Sequence, residues 1–540
     1  MTFGEKLKNR LTDKYFWNVK SFYFNAIYSF FSLILFNKIF LDKVWAVYPS
    51  YLFVSLMFVV LFLLMNVACA LLFWKGTTKI LSILFMLLNA FVFYFMIVYN
   101  AAIDRVMLMN VLETDPQEVK ALLSWGMILI VGLTGVLPSY LIYKTEIIYS
   151  GWKKELLKKL LVIISGIVLS AAIIGSGYKE TAQFLRNNKP VKYYLIPVNY
   201  VGAAISVAKI KLSEGPKELV KIGEDAQKVP YWQNNGKKNL FVFVVGETAR
   251  AANFSLNGYE KNTNEPLQKF GSDLLSFKDV SSCGTSTAIA LPCLFSHQGR
   301  DGFDKSESYY TENLLDVVQR AGYKVWWRGN VTGCKGLCTR VESEILCKKE
   351  TCYDNILLNG LKSRLEQENK DMFVVLHQLG SHGPTYYKRY PKEAEKFSPN
   401  CSTERLDKCS REEIMNVYDN TIYYTSENLA QIIETLQSLG SEYNTMLLYV
   451  SDHGESLGEN NIYLHAAPYA IAPKEQTHVP FLVWFNDDFA EKFKLDRRCL
   501  QGELGNEYSQ DYVFHSFLGL MGVKTAVYNP ELDIFAKCRK

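Results

Sequence analysis

Glu247 closes the apolar run that begins at Asn239, and Asp452 with His453 closes a second run that begins at Thr445. Each run is continuous, of buried-strand length, and ends abruptly in side chains able to bind a metal. In an open α/β sheet the functional crevice lies beyond the carboxyl ends of the strands, where these residues would stand. Two carboxylates and an imidazole arriving together there suit a Zn²⁺-like cation. Between the two runs lies the segment Ser281 to Cys293, with Thr285, Ser286 and Thr287 ahead of an apolar, helix-like stretch. A hydroxyl at a helix start sits among free backbone N–H groups, a ready phosphate site, although an N-cap hydroxyl is a simpler role for the same residues. Beside a metal, such a hydroxyl loses its proton more easily and becomes a nucleophile near neutral pH.

All seven histidines lie beyond residue 296. His382 follows the strand-like run ending at His377, His465 lies in the loop from Asn461, and His478 precedes the run near Pro480. Loop histidines after strands reach the same crevice and can meet a phosphoryl group or a second metal. His297, His377 and His515 read as structural. Lys335, between Cys334 and Gly336, either meets the phosphate or is a plain surface lysine.

The elements that must position these groups alternate. Strands are expected at 240–246, 324–328, 372–377, 445–451 and 480–485, and amphipathic helices at 311–321, 355–369 and 411–439. Such alternation predicts an α/β domain, with a mostly parallel central sheet flanked by helices on both faces.

The front third differs. Mean hydropathy over the chain is zero, but long apolar runs fill the first 176 residues, and five spans are expected, at 22–41, 51–73, 80–99, 122–143 and 157–176. Each approaches the ~20 residues needed to cross a bilayer as a helix. Basic residues cluster before the first span (Lys6 to Lys20), between the second and third (Lys75, Lys79) and between the fourth and fifth (Lys144 to Lys159). By the positive-inside rule the N-terminus is cytoplasmic, and five spans put everything after residue 176 outside the cytoplasm. The predicted organisation is a transmembrane domain at 1–176, a connector with interfacial helices at 177–237, and a catalytic domain at 238–540. Cysteine usage agrees. Cys69 alone lies in the membrane part, and ten cysteines follow. In an oxidising compartment an even number reads as disulfides. Sequence neighbours suggest the pairs Cys283–Cys293, Cys334–Cys338, Cys347–Cys352 and Cys401–Cys409, leaving Cys499 and Cys538. A four-cysteine zinc site from 334, 338, 347 and 352 is the competing arrangement. The net charge of +5 carries little information, and no basic cluster interleaved with aromatics points to nucleic acid. A monomer is expected.

Val245 to Arg250, Cys283 to Ala288, Ser381 to Pro384 and Ser451 to Glu459 together resemble the bacterial phosphoethanolamine transferases, which include lipid A enzymes and mobile colistin-resistance enzymes of the alkaline phosphatase and sulfatase superfamily. The likeness covers nearly the whole chain. It implies one tightly bound Zn²⁺ held by Glu247, Thr287, Asp452 and His453, with Thr287 as nucleophile. It further implies a donor-group contact at Thr285, a phosphoethanolamine or second-zinc role for His382 and His465, and a contact at Lys335. Asn110 and Glu118 resemble loop residues that meet lipid headgroups. The resemblance implies a bacterial inner-membrane enzyme that takes phosphoethanolamine from phosphatidylethanolamine onto a threonine. Transfer to a lipopolysaccharide acceptor, lipid A phosphate by default, would follow. Adding ethanolamine offsets surface negative charge, so polymyxin and other cationic peptides would bind less well. The rival readings are a glycerol-phosphate transferase like lipoteichoic acid synthase, and the same chemistry directed at core sugar or a surface protein. A sulfatase is disfavoured, because no Cys-X-Pro-X-Arg pattern lies near Thr287.

Overall fold

The computed structural model describes residues 15–113, 122–213, 218–229, 236–331, 333–347 and 352–539. The chain divides into two compact units, Met1–Leu108 with Leu123–Val207, and Met109–Leu122 with Ala208–Lys540.

In the first unit, four helices are long and apolar enough to cross a membrane: α3 (Tyr51–Leu72), α4 (Thr78–Tyr99), α6 (Trp125–Tyr143) and α7 (Trp152–Ser176). A fifth span exists if the pair α1 (Ser21–Phe36) and α2 (Lys38–Val47), bent by 63°, counts as one. The sequence predicted a single helix over 22–41. The break falls at Asn37, a weak helix former whose side chain exchanges hydrogen bonds of 3.0 and 2.9 Å with the carbonyl and amide of Ile196. Between α4 and α6, helix α5 (Arg105–Glu113) holds Asn110, which is partly exposed; Glu118 lies outside the described residues. Beyond α7 come α8 (Tyr178–Asn187) and α9 (Val198–Ser213).

Close helix packing here depends on small residues, since lipid tails are as apolar as leucine and give helices no hydrophobic reason to associate. A Cβ on Gly166 of α7 would sit 2.6 Å from Val67 Cγ2 and 3.4 Å from the carbonyl of Leu63 in α3, and one on Gly135 of α6 would sit 2.8 Å from Ala90 Cβ in α4. Polar ties supplement this: Lys159 Nζ donates to the carbonyl of Ala70 at 2.9 Å, and Ser21 Oγ to Glu155 at 2.6 Å.

The second unit is built on a seven-stranded sheet. Its strands are β1 (Lys238–Gly246), β2 (Leu274–Phe277), β3 (Lys324–Gly329), β4 (Glu342–Ile345), β5 (Met372–His377), β6 (Tyr443–Ser451) and β7 (Phe481–Phe485), in the spatial order β2-β7-β6-β1-β5-β3-β4. The run from β6 through β1, β5 and β3 to β4 is parallel, while β7 runs antiparallel to both β6 and β2. The sheet is therefore mostly parallel, as expected. β2 and β4, four residues each at the two edges, carry too short a pattern to stand out in the sequence.

Successive side chains of β1 enter opposite cores, as the two-residue period of a strand requires. Phe241, Phe243 and Val245 face one layer, with residues of α10 (Thr287–Leu294), α11 (Leu314–Arg320) and α14 (Asp511–Leu520). Leu240, Val242 and Val244 face the other, with α12 (Leu361–Gln367) and α13 (Arg411–Ser438). α11 and α13 each start on a capping box, Asn313 with Asp316 and Ser410 with Glu413. The helix expected over 355–369 is divided by Gly360, whose φ of 70° ends a 3₁₀ turn before α12 begins. Five disulfides form, joining 283 to 293, 334 to 338, 347 to 352, 401 to 409 and 499 to 538. Those sulfurs leave no thiolates for a four-cysteine zinc site, and Cys69 is a buried free thiol.

Gly166→Val should destabilise the membrane unit by about 1–3 kcal/mol through overpacking against α3. The expected result is a lower Tm of the detergent-purified chain. Gly175→Ala in the same helix, with nothing within 4 Å of its added Cβ, should leave Tm unchanged or slightly raised.

Candidate active site at the carboxyl edge of the sheet

β1 and β6 run parallel in a register that sets Gly246 opposite Ser451. The next residues, Glu247 and Asp452, therefore leave the sheet side by side, and the amide of Asp452 donates to the carbonyl of Gly246 at 3.0 Å. β5 flanks β1 on its other side and leads, through Gln378, to His382. Three central strands thus deliver their continuations to one edge.

Glu247, Asp452 and His453 are buried, and their ligand atoms all lie within 4.8 Å of one another. His453 Nε2 is 3.5 Å from a carboxylate oxygen of each acid. Its other nitrogen, Nδ1, lies 2.8 Å from the carbonyl of Gly454. A carbonyl can only accept, so the proton belongs on Nδ1 and Nε2 presents a lone pair to the two carboxylates. Asp452 Oδ1 accepts from the amides of His453 (2.7 Å) and Thr248 (3.2 Å), whereas Oδ2 is buried without a hydrogen-bond donor. Acceptors facing acceptors in a buried pocket are unfavourable without a positive charge among them. The donor set of carboxylate oxygens and an imidazole nitrogen fits a borderline cation.

Thr287 is the first residue of α10, following Ser286, whose extended backbone starts the helix. Its hydroxyl lies 3.0 and 3.1 Å from the two oxygens of Glu247 and 3.3 Å from His453 Nε2. Of these four residues only Thr287 is partly exposed. The cluster therefore opens outward through a hydroxyl.

Burial governs the protonation of the site. It pushes the Asp452 carboxyl up to about 7, against the backbone N–H groups that favour its charged form. It holds His453 and His382 well below the ordinary imidazole value, with the neighbouring His465 adding to the effect in both.

The other candidates fall at different distances. His465 stacks near His453 (ring centroids 4.6 Å apart) and His382 (5.1 Å), so three imidazoles share the edge. Lys335 sits in the loop closed by Cys334 and Cys338 with a φ of 49°, close enough that its charge reinforces the burial that lowers His377 to about 3. The Thr285 hydroxyl donates to the carbonyl of Ala467 at 2.6 Å, joining the Thr287 loop to the His465 loop. His478 is not brought to the cluster: its Nε2 meets the carbonyl of Lys278 at 2.7 Å, beside Asp279. That contact ties the loop before β7 to the one after β2.

Several residues that hold the site were not singled out in the sequence. Glu455, fully buried, places Oε1 3.2 Å from His465 Nδ1 and fixes that ring. Gln510 donates to the carbonyls of Ser451 and Asp452, both at 2.7 Å, and accepts from the amide of Cys283 at 2.8 Å. It thus bridges the strand end that carries Asp452 and the segment that leads to Thr287. Gly380 has a φ of 56°, and a Cβ there would lie 2.4 Å from the carbonyl of Glu247, so only glycine lets the His382 loop approach. Asp354 accepts from the amides of Leu379 and Gly380 and pins that approach. A signal existed for Glu455, one of the acids in the run Ser451 to Glu459; Gln510 had none.

Comparison with known proteins identifies the family of the chain. A family model described as phosphoethanolamine transferase EptA/EptB matches residues 61–212, and one described as sulfatase matches residues 239–523. Phosphoethanolamine transferase EptA of Salmonella typhimurium is 40% identical over 498 residues, covering 89% of this chain and 89% of that one. Phosphatidylethanolamine transferase Mcr-1 of Escherichia coli is 38% identical, covering 83% of this chain and 86% of its own. The solved structure of the integral membrane lipooligosaccharide phosphoethanolamine transferase A from Neisseria meningitidis superposes with a TM-score of 0.93 at 37% identity, covering 97% of this chain and 99% of that one. With spans, sheet, edge cluster and these likenesses in agreement, the chain belongs to the phosphoethanolamine transferase family of the alkaline phosphatase and sulfatase superfamily and is a membrane-bound transferase.

Proposed function

We propose that this enzyme moves phosphoethanolamine from phosphatidylethanolamine, through Thr287, to a phosphate of lipid A. The observation that carries the reading is the Thr287 hydroxyl, held between the two oxygens of Glu247 at the partly exposed mouth of a buried ligand cluster. Its proton already points at a carboxylate, so as Oγ1 attacks phosphorus and the bond from phosphorus to the diacylglycerol oxygen breaks, that proton can pass by way of Glu247 to the departing oxygen, giving the alcohol. The product is a phosphoethanolamine ester of Thr287. An oxygen of the acceptor phosphate then attacks the same phosphorus and frees the threonine. A phosphoryl group on Thr287 would stand at the start of α10, where the helix dipole favours its negative charge. His382 and His465 stand ready for the phosphoryl oxygens or a second cation. A Zn²⁺ held by Glu247, Asp452 and His453 would lower the pKa of the hydroxyl and offset phosphoryl charge.

Basic residues before the first span and between the paired spans support a cytoplasmic N-terminus, with the catalytic unit in the periplasm. Both donor and acceptor are amphiphiles, which suits a chain with membrane spans. The named activities of the relatives support the same donor group and, through it, a less negative surface that binds polymyxin less well.

In cells expressing the chain, lipid A should gain the mass of one phosphoethanolamine. Thr287→Ala should lower that product by about three orders of magnitude or more, while Thr287→Ser keeps a measurable part. Unmodified lipid A together with a modified core sugar or protein would move the acceptor; glycerol phosphate in the product would replace the reading altogether. Chelation should abolish turnover and Zn²⁺ should restore it. Because Asp452 holds its proton up to about 7, while His453 is neutral well below that, cation binding must displace one proton below neutral pH. Zn²⁺ affinity, read by competition with a chelator, should therefore be level above pH 7 and fall about tenfold per pH unit below it.

A further inference from the structure

A cavity of about 500 Å³ opens among α2, α3, α7, α8 and the turn that follows, within the range of ~300–1,000 Å³ usual for small-molecule sites. Its walls are apolar, formed by residues such as Phe40, Met57, Leu61 and Ile174, while Thr181, Asn188, Lys189 and Lys192 lie at one rim. Between membrane-spanning helices the surrounding solvent is acyl chain, and an apolar groove offers water too few polar partners to hold it. A hydrocarbon chain fills such a groove without desolvation cost.

The rim says what that chain is attached to. Lys189 and Lys192 belong to a 3₁₀ turn, Lys189–Tyr194, in which residues three apart eclipse one another and project to the same side. Both are exposed, and neither makes an ion pair with a described residue; Lys192 Nζ lies over the ring of Tyr193 at 5.2 Å. A third cation, Lys43, lies 4.1 Å over the ring of Tyr194 in the same turn. Among the described residues no carboxylate lines the groove: Glu180 comes near Gly177 but forms no part of the wall. An ethanolamine headgroup would bring its ammonium against two others. A headgroup with net negative charge meets only complementary charge.

We propose that this groove binds one acyl chain of an anionic glycerophospholipid, with its phosphate held by Lys189 and Lys192. This lipid is neither donor nor acceptor in the transfer, and the inference does not rest on the chemistry at Thr287.

The test uses the full chain in phosphatidylcholine nanodiscs carrying trace phosphatidylglycerol or phosphatidylethanolamine, with retained lipid read by native mass spectrometry. Phosphatidylglycerol should be retained in preference to phosphatidylethanolamine. Lys189→Gln or Lys192→Gln alone should weaken its retention about fivefold and the pair about thirtyfold. Leu61→Trp, which fills the groove and leaves the lysines in place, should displace it as well. Melting curves in detergent identify any variant that fails to fold; the lysine pair, being exposed, then decides alone. Undiminished phosphatidylglycerol in the paired variant overturns the proposal. So does equal retention of phosphatidylethanolamine, which would make the groove a donor-lipid site, and so does the absence of any retained lipid.

Discussion

Two carboxylates and an imidazole lone pair lie buried within 4.8 Å of each other, with one hydroxyl proton directed among them. Like charges at such range repel, and burial removes the water that would otherwise screen them. No chain would settle into this arrangement by local preference. The surrounding structure must therefore over-determine it, and the strongest constraint is the pairing of β1 with β6. Nine residue pairs in unbroken parallel register carry Glu247 and Asp452 to the same height. Because side chains alternate with a period of two, a slip of one residue would turn each acid to the opposite face.

Neutral side chains do much of the fastening at this edge, beside the carboxylates of Asp354 and Glu455. Gln510, at the start of α14, spends both ends of its amide on the two loops that meet at the site. Tyr418 of α13 donates to the carbonyl of Thr248 at 2.7 Å and accepts from the amide of Arg250, bracing the turn after Glu247 from the other layer. Ser451 Oγ accepts from the amide of Ala249 and donates to the carbonyl of His453. Such uncharged hydrogen bonds fix the geometry without adding another charge to a buried acidic cluster.

Much of this was legible in the sequence because continuous apolar runs are unambiguous when they end in acids. The ends of β1 and β6 were found that way, β5 by its apolar run ahead of the His382 loop and the membrane spans by their length, since none of these readings depends on distant partners. What escaped depends on tertiary contact. The bend at Asn37 arises from hydrogen bonds to Ile196, far along the chain. Gln510 acts through a fold in which residues 283, 451 and 510 converge, and a glutamine carries no marker of that. His478 shows the complementary dependence on tertiary contact. Lying just before β7, it could have reached the edge, but a backbone carbonyl took its ring nitrogen first. Thr285 shows the same competition, with its hydroxyl spent on Ala467.

Four of the five disulfides span only four to ten positions in the sequence. A crosslink that closes so short a loop removes little freedom from the unfolded chain, so its contribution to global stability is smaller than that of a long-range bridge. Cohesion of the domain therefore resides in the two apolar layers about the sheet. The sulfur pairs act on a smaller scale, and the one joining Cys283 to Cys293 clasps the very segment that carries Thr287. Formation of that bridge thus shapes one loop at the sheet edge more than it holds the two layers together.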